Sequence, residues 1–181
     1  MSKSEATKQK HLQAIMAFVL KHGIADASLR PLAKAAGTSD RMLIYHFGSK
    51  DGRITELLIA LASEFTENLD QALPEVRMTS QRALLNSVLA VVRDPKVKPY
   101  IRLWQEVTTM ASLGNPASIA TGRDIVQGFV DWLARRMPED VSSPEAAAQA
   151  MLTVIEGVHV MDAVGQETVA SAAVDVLYPK P

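Results

Sequence analysis

The amino-acid sequence predicts an all-α fold: a short three-helix, helix-turn-helix segment near the amino end, then an antiparallel helical bundle. Three observations predict it. Apolar residues recur three and four positions apart in almost every segment, the period of a helix with one buried face. No stretch shows the sustained apolar/polar alternation of a half-buried strand. The breaks between periodic segments are short and rich in glycine, proline and serine, so consecutive helices must fold back on one another.

The first helix carries the stripe Leu12, Ile15, Met16 and Val19, widened by Phe18, and stops at Lys21-His22-Gly23, basic residues followed by a glycine. Ser28 is the N-cap of a short helix over 29–36. Pro31 falls in its first turn, where backbone N–H groups have no intrahelical partner, so Ser28 is expected to cap the Arg30 N–H instead. Gly37 predicts a left-handed turn and Ser39 the cap of the next helix. Leu32, Ala33 and Ala36 are expected to face inward, and Leu43, Ile44 and Phe47 to anchor the second short helix. Asp40, Arg41, Met42, Tyr45 and His46 are left for an outer face.

From Ser49 a long helix is expected to residue 72 on the stripe Ile54, Leu57, Leu58, Leu61, Phe65 and Leu69, with Pro74 beyond it. The segments "QRALLNSVLAVVR" and "YIRLWQEVTTMASL" supply two more helices, and 118–136 a third. "SSPEAAAQAMLTVIEGVHVMDAV" follows, with Ser143 as N-cap and Pro144 in the first helical position. Residues 166–177 make the last helix.

Composition narrows the function. The chain has 181 residues, 48% apolar, enough for one domain with a sizeable core or two small ones. It has no cysteine, which excludes disulfides and thiolate chemistry. No run approaches the roughly 20 apolar residues of a membrane helix. The start, "MSKSEATKQKHLQ", lacks a signal-peptide core, and a cytoplasmic location is expected. Residues 1–50 hold eight Lys and Arg against three Asp and Glu, a net +5, whereas the remainder holds eleven against seventeen, a net −6. A basic head on an acidic body suits an end that meets an anion such as nucleic acid; chance clustering at a solvated terminus gives the same pattern.

Two short helices joined by a tight turn are the helix-turn-helix unit, and a short helix with an exposed polar face suits a major groove. Lys50 sits where the next helix begins, a place that favours phosphate. The stretch "SLRPLAKAAGTSDRMLIYHFGSK" resembles the DNA-binding segment of the TetR family of transcriptional regulators. Ser28, Leu32-Ala33, Ala36-Gly37-Thr38-Ser39, Leu43 to Phe47 and Ser49-Lys50 carry the likeness. Two positions depart from the family pattern: Arg41 stands where a glycine is frequent, and Ile44 where tyrosine is usual, with Tyr45 next. Arg41 brings a large donor suited to a guanine or to a phosphate.

The resemblance implies a DNA-binding head over 1–50 and an effector-binding, dimerising body over 51–181. It implies Arg30, Ser39, Asp40, Arg41, Met42, Tyr45, His46 and Lys50 as the double-stranded DNA contacts, and a homodimer that reads a palindrome. A small apolar or aromatic effector would release a repressor from its operator. Expected pocket residues are Trp104, Met110, Phe129, Trp132, Met151, His159 and Met161, and expected dimer contacts Val154, Val158, Val169, Ala172 and Val176.

Other readings are narrower. Glu156 and His159 have the i, i+3 spacing of di-iron bundles, with Asp162 a turn further, but His11, His22 and His46 have no glutamate three residues before them. Hence no metal and no cofactor are expected. Neither a GxSxG elbow nor a glycine-rich phosphate loop is present, so a non-enzyme is expected. An architectural DNA-binding protein without effector is the alternative; its body is larger than that role requires. A helical-bundle enzyme is the last.

Overall fold

The structure, a computed structural model, describes residues 3–73 and 75–179, without the side chains of Lys3, Lys50 and Asp51. Among the described residues are nine helices and no strand: α1 (Lys3–His22), α2 (Leu29–Ala35), α3 (Asp40–Phe47), α4 (Lys50–Ala72), α5 (Gln81–Val92), α6 (Lys98–Ser112), α7 (Pro116–Arg136), α8 (Pro144–Ala163) and α9 (Glu167–Leu177). The all-α class is as predicted. The Lys50 side chain, expected at a phosphate, and Pro74, expected to follow the long helix, lie outside the described residues.

Local chemistry accounts for the ends. Gly23 closes α1 at φ +88°, its N–H donating to the Val19 carbonyl at 2.8 Å. Asn115 starts α7 two residues earlier than the apolar period suggests: its Oδ1 accepts the Ser118 N–H at 2.8 Å, and Pro116 takes the first helical position. Ser28 is a correction. It occupies the N-cap position of α2, but its side chain makes no capping bond to Arg30 or to any other residue. A capping hydroxyl bonds the N–H of the second or third helical residue, and the third is Pro31, which has none. Only the Ser28 backbone serves the helix, its carbonyl accepting the Leu32 N–H at 3.2 Å.

The packing forms two compact units, which a cut at residue 50 does not mark. One takes the chain up to Glu67 together with Pro95–Ile125; the other takes Asn68–Asp94 and the chain from Val126. Three helices over about fifty residues make only a marginal core by themselves. In the first unit, α1 packs against α2 and α6. Leu12, Ile15, Met16 and Val19 of α1 join Leu32, Ala33, Leu43 and Phe47, while Leu57, Leu58 and Leu61 of α4 and Leu103 and Val107 of α6 complete the cluster.

In the second unit α8 packs against α9 and α5. Leu84, Leu85, Val88, Met151, Ile155, Val158 and Val174 are buried there. One charge is buried with them. Arg136 is 0% exposed and lies 3.9 Å over the Trp132 ring. Its Nη2 donates to Asp70 Oδ1 at 2.7 Å and to the Leu73 carbonyl at 3.2 Å, and its Nη1 to the Trp132 carbonyl at 3.2 Å. The same Asp70 oxygen accepts the Trp132 Nε1–H at 2.7 Å.

Candidate nucleic-acid interface

The turn between α2 and α3 is built as a glycine-terminated helix end. Gly37 takes φ +63°, and the Thr38 N–H returns to the Ala33 carbonyl at 3.0 Å, satisfying a carbonyl the ending helix would orphan. Ser39 Oγ then accepts the Met42 N–H at 3.3 Å and caps α3. Leu32 and Ala33, at 1% and 3% exposure, form the inner face of α2; Ala36 is half-buried against the same cluster.

Helical geometry sets what α3 shows to solvent. With about 100° per residue and Leu43 as the inward direction, Phe47 lies near 40°, Asp40 and His46 near 60° to either side, Met42 and Ile44 near 100°, and Arg41 and Tyr45 near the outer pole. Burial follows that wheel. Leu43 and Phe47 are buried, Asp40 and His46 half-buried, and Arg41, Met42, Ile44 and Tyr45 exposed, Tyr45 at 73%. Ile44 is therefore not the core anchor expected, because it sits a quarter-turn beyond Leu43. His46, expected on the outer face, turns inward instead: its ring lies 5.5 Å from that of His11 on α1. Arg30 is exposed on α2, as is Ser39.

Three further contacts fix α3. The Lys8 ammonium lies 5.2 Å over the Phe47 ring and pairs with Glu56 at 2.7 Å, tying α1, α3 and α4. Arg53, 9% exposed, donates from Nη1 to the Gly48 carbonyl at 2.8 Å just past the end of α3. Sequence reasoning missed Arg53; its signal was a basic side chain within reach of helix-end carbonyls. Ser49 Oγ accepts the Gly52 N–H at 3.1 Å at the start of α4.

His11 Nδ1 and His46 Nε2 are buried without a hydrogen-bond partner. Burial, then His46 and Lys10, push the His11 pKa below its ordinary value near 6.5. The fold therefore favours neutral His11. Above that value the effect vanishes; as pH falls below it, the unfolded chain takes up a proton that the folded chain resists, and stability drops. Thermal melts of the wild type should fall between pH 7 and pH 5, and those of His11→Gln should fall less. His159, also pushed down mainly by burial, keeps part of the slope in both proteins. Identical slopes would remove His11 from the account.

The expected pocket residues separate. Trp104 is half-buried against the first unit's core, and Met110 lines a cavity in that unit. Trp132 and Met151, at 1% and 0% exposure, lie in the interior of the second unit, and Trp132 is held between Asp70 and Arg136. Phe129, His159 and Met161 are half-buried, and neither His159 ring nitrogen has a partner. Asp162, one turn past His159, is bound by Arg93 at 2.7 and 3.1 Å. Among the expected dimer contacts, Val169, Ala172 and Val176 are exposed and Val154 is half-buried. Val158 is only 2% exposed and belongs to the unit's own core, because it shares the inward face with Met151 and Ile155. No described helix is long and apolar enough to cross a membrane.

Comparison with known proteins agrees with this geometry. The family model described as "Bacterial regulatory proteins, tetR family" matches residues 12–57, from the middle of α1 into α4. The HTH-type transcriptional regulator BetI of Yersinia pestis is 22% identical over 166 residues, covering 88% of this chain and 82% of BetI. The multidrug binding protein EbrR, solved in complex with imidazole, superimposes with a TM-score of 0.68 at 20% identity, over 96% of this chain and 90% of EbrR. A TetR transcription regulator from Haloarcula marismortui superimposes with a TM-score of 0.71 at 18% identity, over 95% of this chain and 98% of that protein. The α2–turn–α3 unit built as described lies within the stretch, residues 12–57, that matches the tetR family of bacterial regulatory proteins.

Proposed function

We propose that the chain is a cytoplasmic, ligand-responsive DNA-binding regulator of transcription, a repressor that binds a palindromic operator as a homodimer and leaves it when a small apolar or aromatic effector binds. One observation carries the reading. A short helix buries Leu43 and Phe47 on one side and exposes Arg41, Met42 and Tyr45 on the other. Residues 1–50 are the proposed DNA-binding segment, and their net charge of +5 supports contact with a polyanion. Arg41 and Tyr45 face the major groove, flanked by Met42, while Arg30, Ser39 and Lys50 hold the backbone. Asp40 and His46, set back on the flanks of α3, shape that surface rather than dominate it.

The body over 51–181 is proposed to dimerise and to bind effector. Val169, Ala172 and Val176 form an exposed apolar face on α9, and Val160 and Val164 lie exposed at the end of α8 and just beyond it. A homodimer that reads a palindrome presents two α3 helices one DNA turn apart, about 34 Å. BetI is an HTH-type transcriptional regulator, which supports the DNA-binding part of this reading, and EbrR is a multidrug binding protein, which supports the effector-responsive part.

Selection of bound sequences from a random DNA pool tests this. Enrichment of a palindrome supports it, affinity without enrichment favours an architectural protein, and absence of affinity overturns it. On the selected site, Arg41→Ala should cost about 1–3 kcal/mol and relax preference at one base pair if the guanidinium binds a guanine in two-pronged fashion. Equal weakening on every sequence would move Arg41 to a phosphate.

A further inference from the structure

One large apolar side chain on α3 has no seat in the core. Ile44 is 49% exposed, next in sequence to Leu43 at 0%. Its direction is fixed from both ends of the helix. Ser39 caps the start, Arg53 holds the Gly48 carbonyl at 2.8 Å past the end, and Leu43 and Phe47 bury the inner face. Turning Ile44 inward would turn Leu43 outward by about 100°.

The neighbours of Ile44 place it on the proposed DNA-facing surface. Arg41 and Ile44, three residues apart and both exposed, share a ridge of α3, about 60° apart in direction and about 4.5 Å apart along the axis. Base pairs rise by about 3.4 Å each. With α3 laid along a major groove, the two side chains reach base pairs that adjoin or stand one step apart. A polyanion suits such company better than an apolar protein surface does, because residues 1–50 carry a net +5.

Side-chain chemistry decides what Ile44 reads. It has no donor or acceptor, so it bonds neither a phosphate nor the polar edge of a base. The apolar group that base pairs present in the major groove is the C5-methyl of thymine. Branching at Cβ holds a helical isoleucine in one strongly preferred χ1 rotamer, so the side chain meets the groove as a stiff knob. Met42, also exposed, is unbranched and adapts to whatever lies beneath it. Tyr45 carries a hydroxyl suited to a phosphate. A stiff, wholly apolar group is the one that discriminates: cytosine at the same place would set its N4 donor against it, unpaired.

We infer that Ile44 is a specificity-determining residue that reads the C5-methyl of a thymine in each half of the bound site, one or two base pairs from the pair that Arg41 meets. The inference rests on the regulator reading above and deepens it, since that reading gives Ile44 no contact.

The test uses the site that selection from random DNA returns. Each thymine in it is replaced in turn, in both halves at once, by deoxyuridine, which lacks only the methyl. Affinities of the full chain are compared at one salt concentration, because phosphate contacts make every value salt-dependent. At one thymine, loss of the methyl should weaken wild-type binding by about four-fold per half-site, the equivalent of one methyl-sized group left unburied. Ile44→Ala should bind the unmodified site more weakly, lose the response at that thymine and keep the wild-type response at every other. Should the alanine variant melt early, Ile44→Gln, a good helix former, takes its place with the same selective loss expected. No thymine whose methyl matters, a response that survives the substitution, or a loss spread equally over all thymines overturns the inference and leaves the regulator standing. Absence of DNA binding, or binding without an enriched site, overturns the regulator reading and the inference with it.

Discussion

An Asp70→Ala variant is expected to lose about 3 kcal/mol of stability in the unit that holds α8 and α9. Arg136 is the reason. Its guanidinium is fully buried, and Asp70 is the only carboxylate within ion-pairing distance of it among the described residues. Burial pushes the Arg136 pKa down, and Asp70, then Glu75, oppose that push. Removing Asp70 leaves a buried cation with backbone carbonyls alone and strips the Trp132 indole of its acceptor. The figure sits at the low end for a broken buried pair because Asp70 itself is 52% exposed and already screened. Asp70→Asn, which keeps an acceptor and loses the charge, should fall between wild type and alanine. Denaturant unfolding followed by tryptophan fluorescence measures all three; an alanine variant within about 0.5 kcal/mol of wild type would show that the ion pair does not hold this unit.

Leu43→Ala is expected to cost about 3 kcal/mol and to abolish measurable DNA binding. The side chain is 0% exposed and packs α3 into the cluster built from α1, α2, α4 and α6. Truncating a buried leucine removes its transfer free energy and leaves a void that close-packed neighbours fill only in part. The melting temperature of this unit should fall on the order of 15 °C. Ile44→Ala is the matched control: one residue on, 49% exposed, it should change stability by about 0.5 kcal/mol or less. Equal losses from the two would mean that α3 is seated at a different rotation from the one described.

These two variants also separate what was legible in the sequence from what was not. The glycine turn, the Ser39 cap and the burial of Leu43 and Phe47 followed from residues a few positions apart. The seat of α3 did not. A shortlist of inward residues that included Ile44 and left His46 outside matched apolar character, whereas the structure follows angle: His46 lies nearer the inward direction than Ile44 and finds His11 beside it. The surroundings of Trp132 were hidden for a similar reason. Its indole meets Asp70, 62 residues away, and lies under Arg136. The Ser28 cap, by contrast, failed locally: Pro31 offers no N–H, and the hydroxyl does not bond the Arg30 N–H either.

Helix number, helix limits, the turn at Gly37 and the α2–α3 unit were written in contiguous residues, because backbone hydrogen bonds, caps and φ preferences act over one or two turns. Long-range packing alone settled which polar groups are buried, where the cavity lies and how the helices group into two units. Glu106 meets Ile24 across 82 residues of chain, and Arg136 meets Asp70 across 66. Such meetings depend on how whole helices rotate and dock to fill a common interior, a condition that no short stretch of the chain contains.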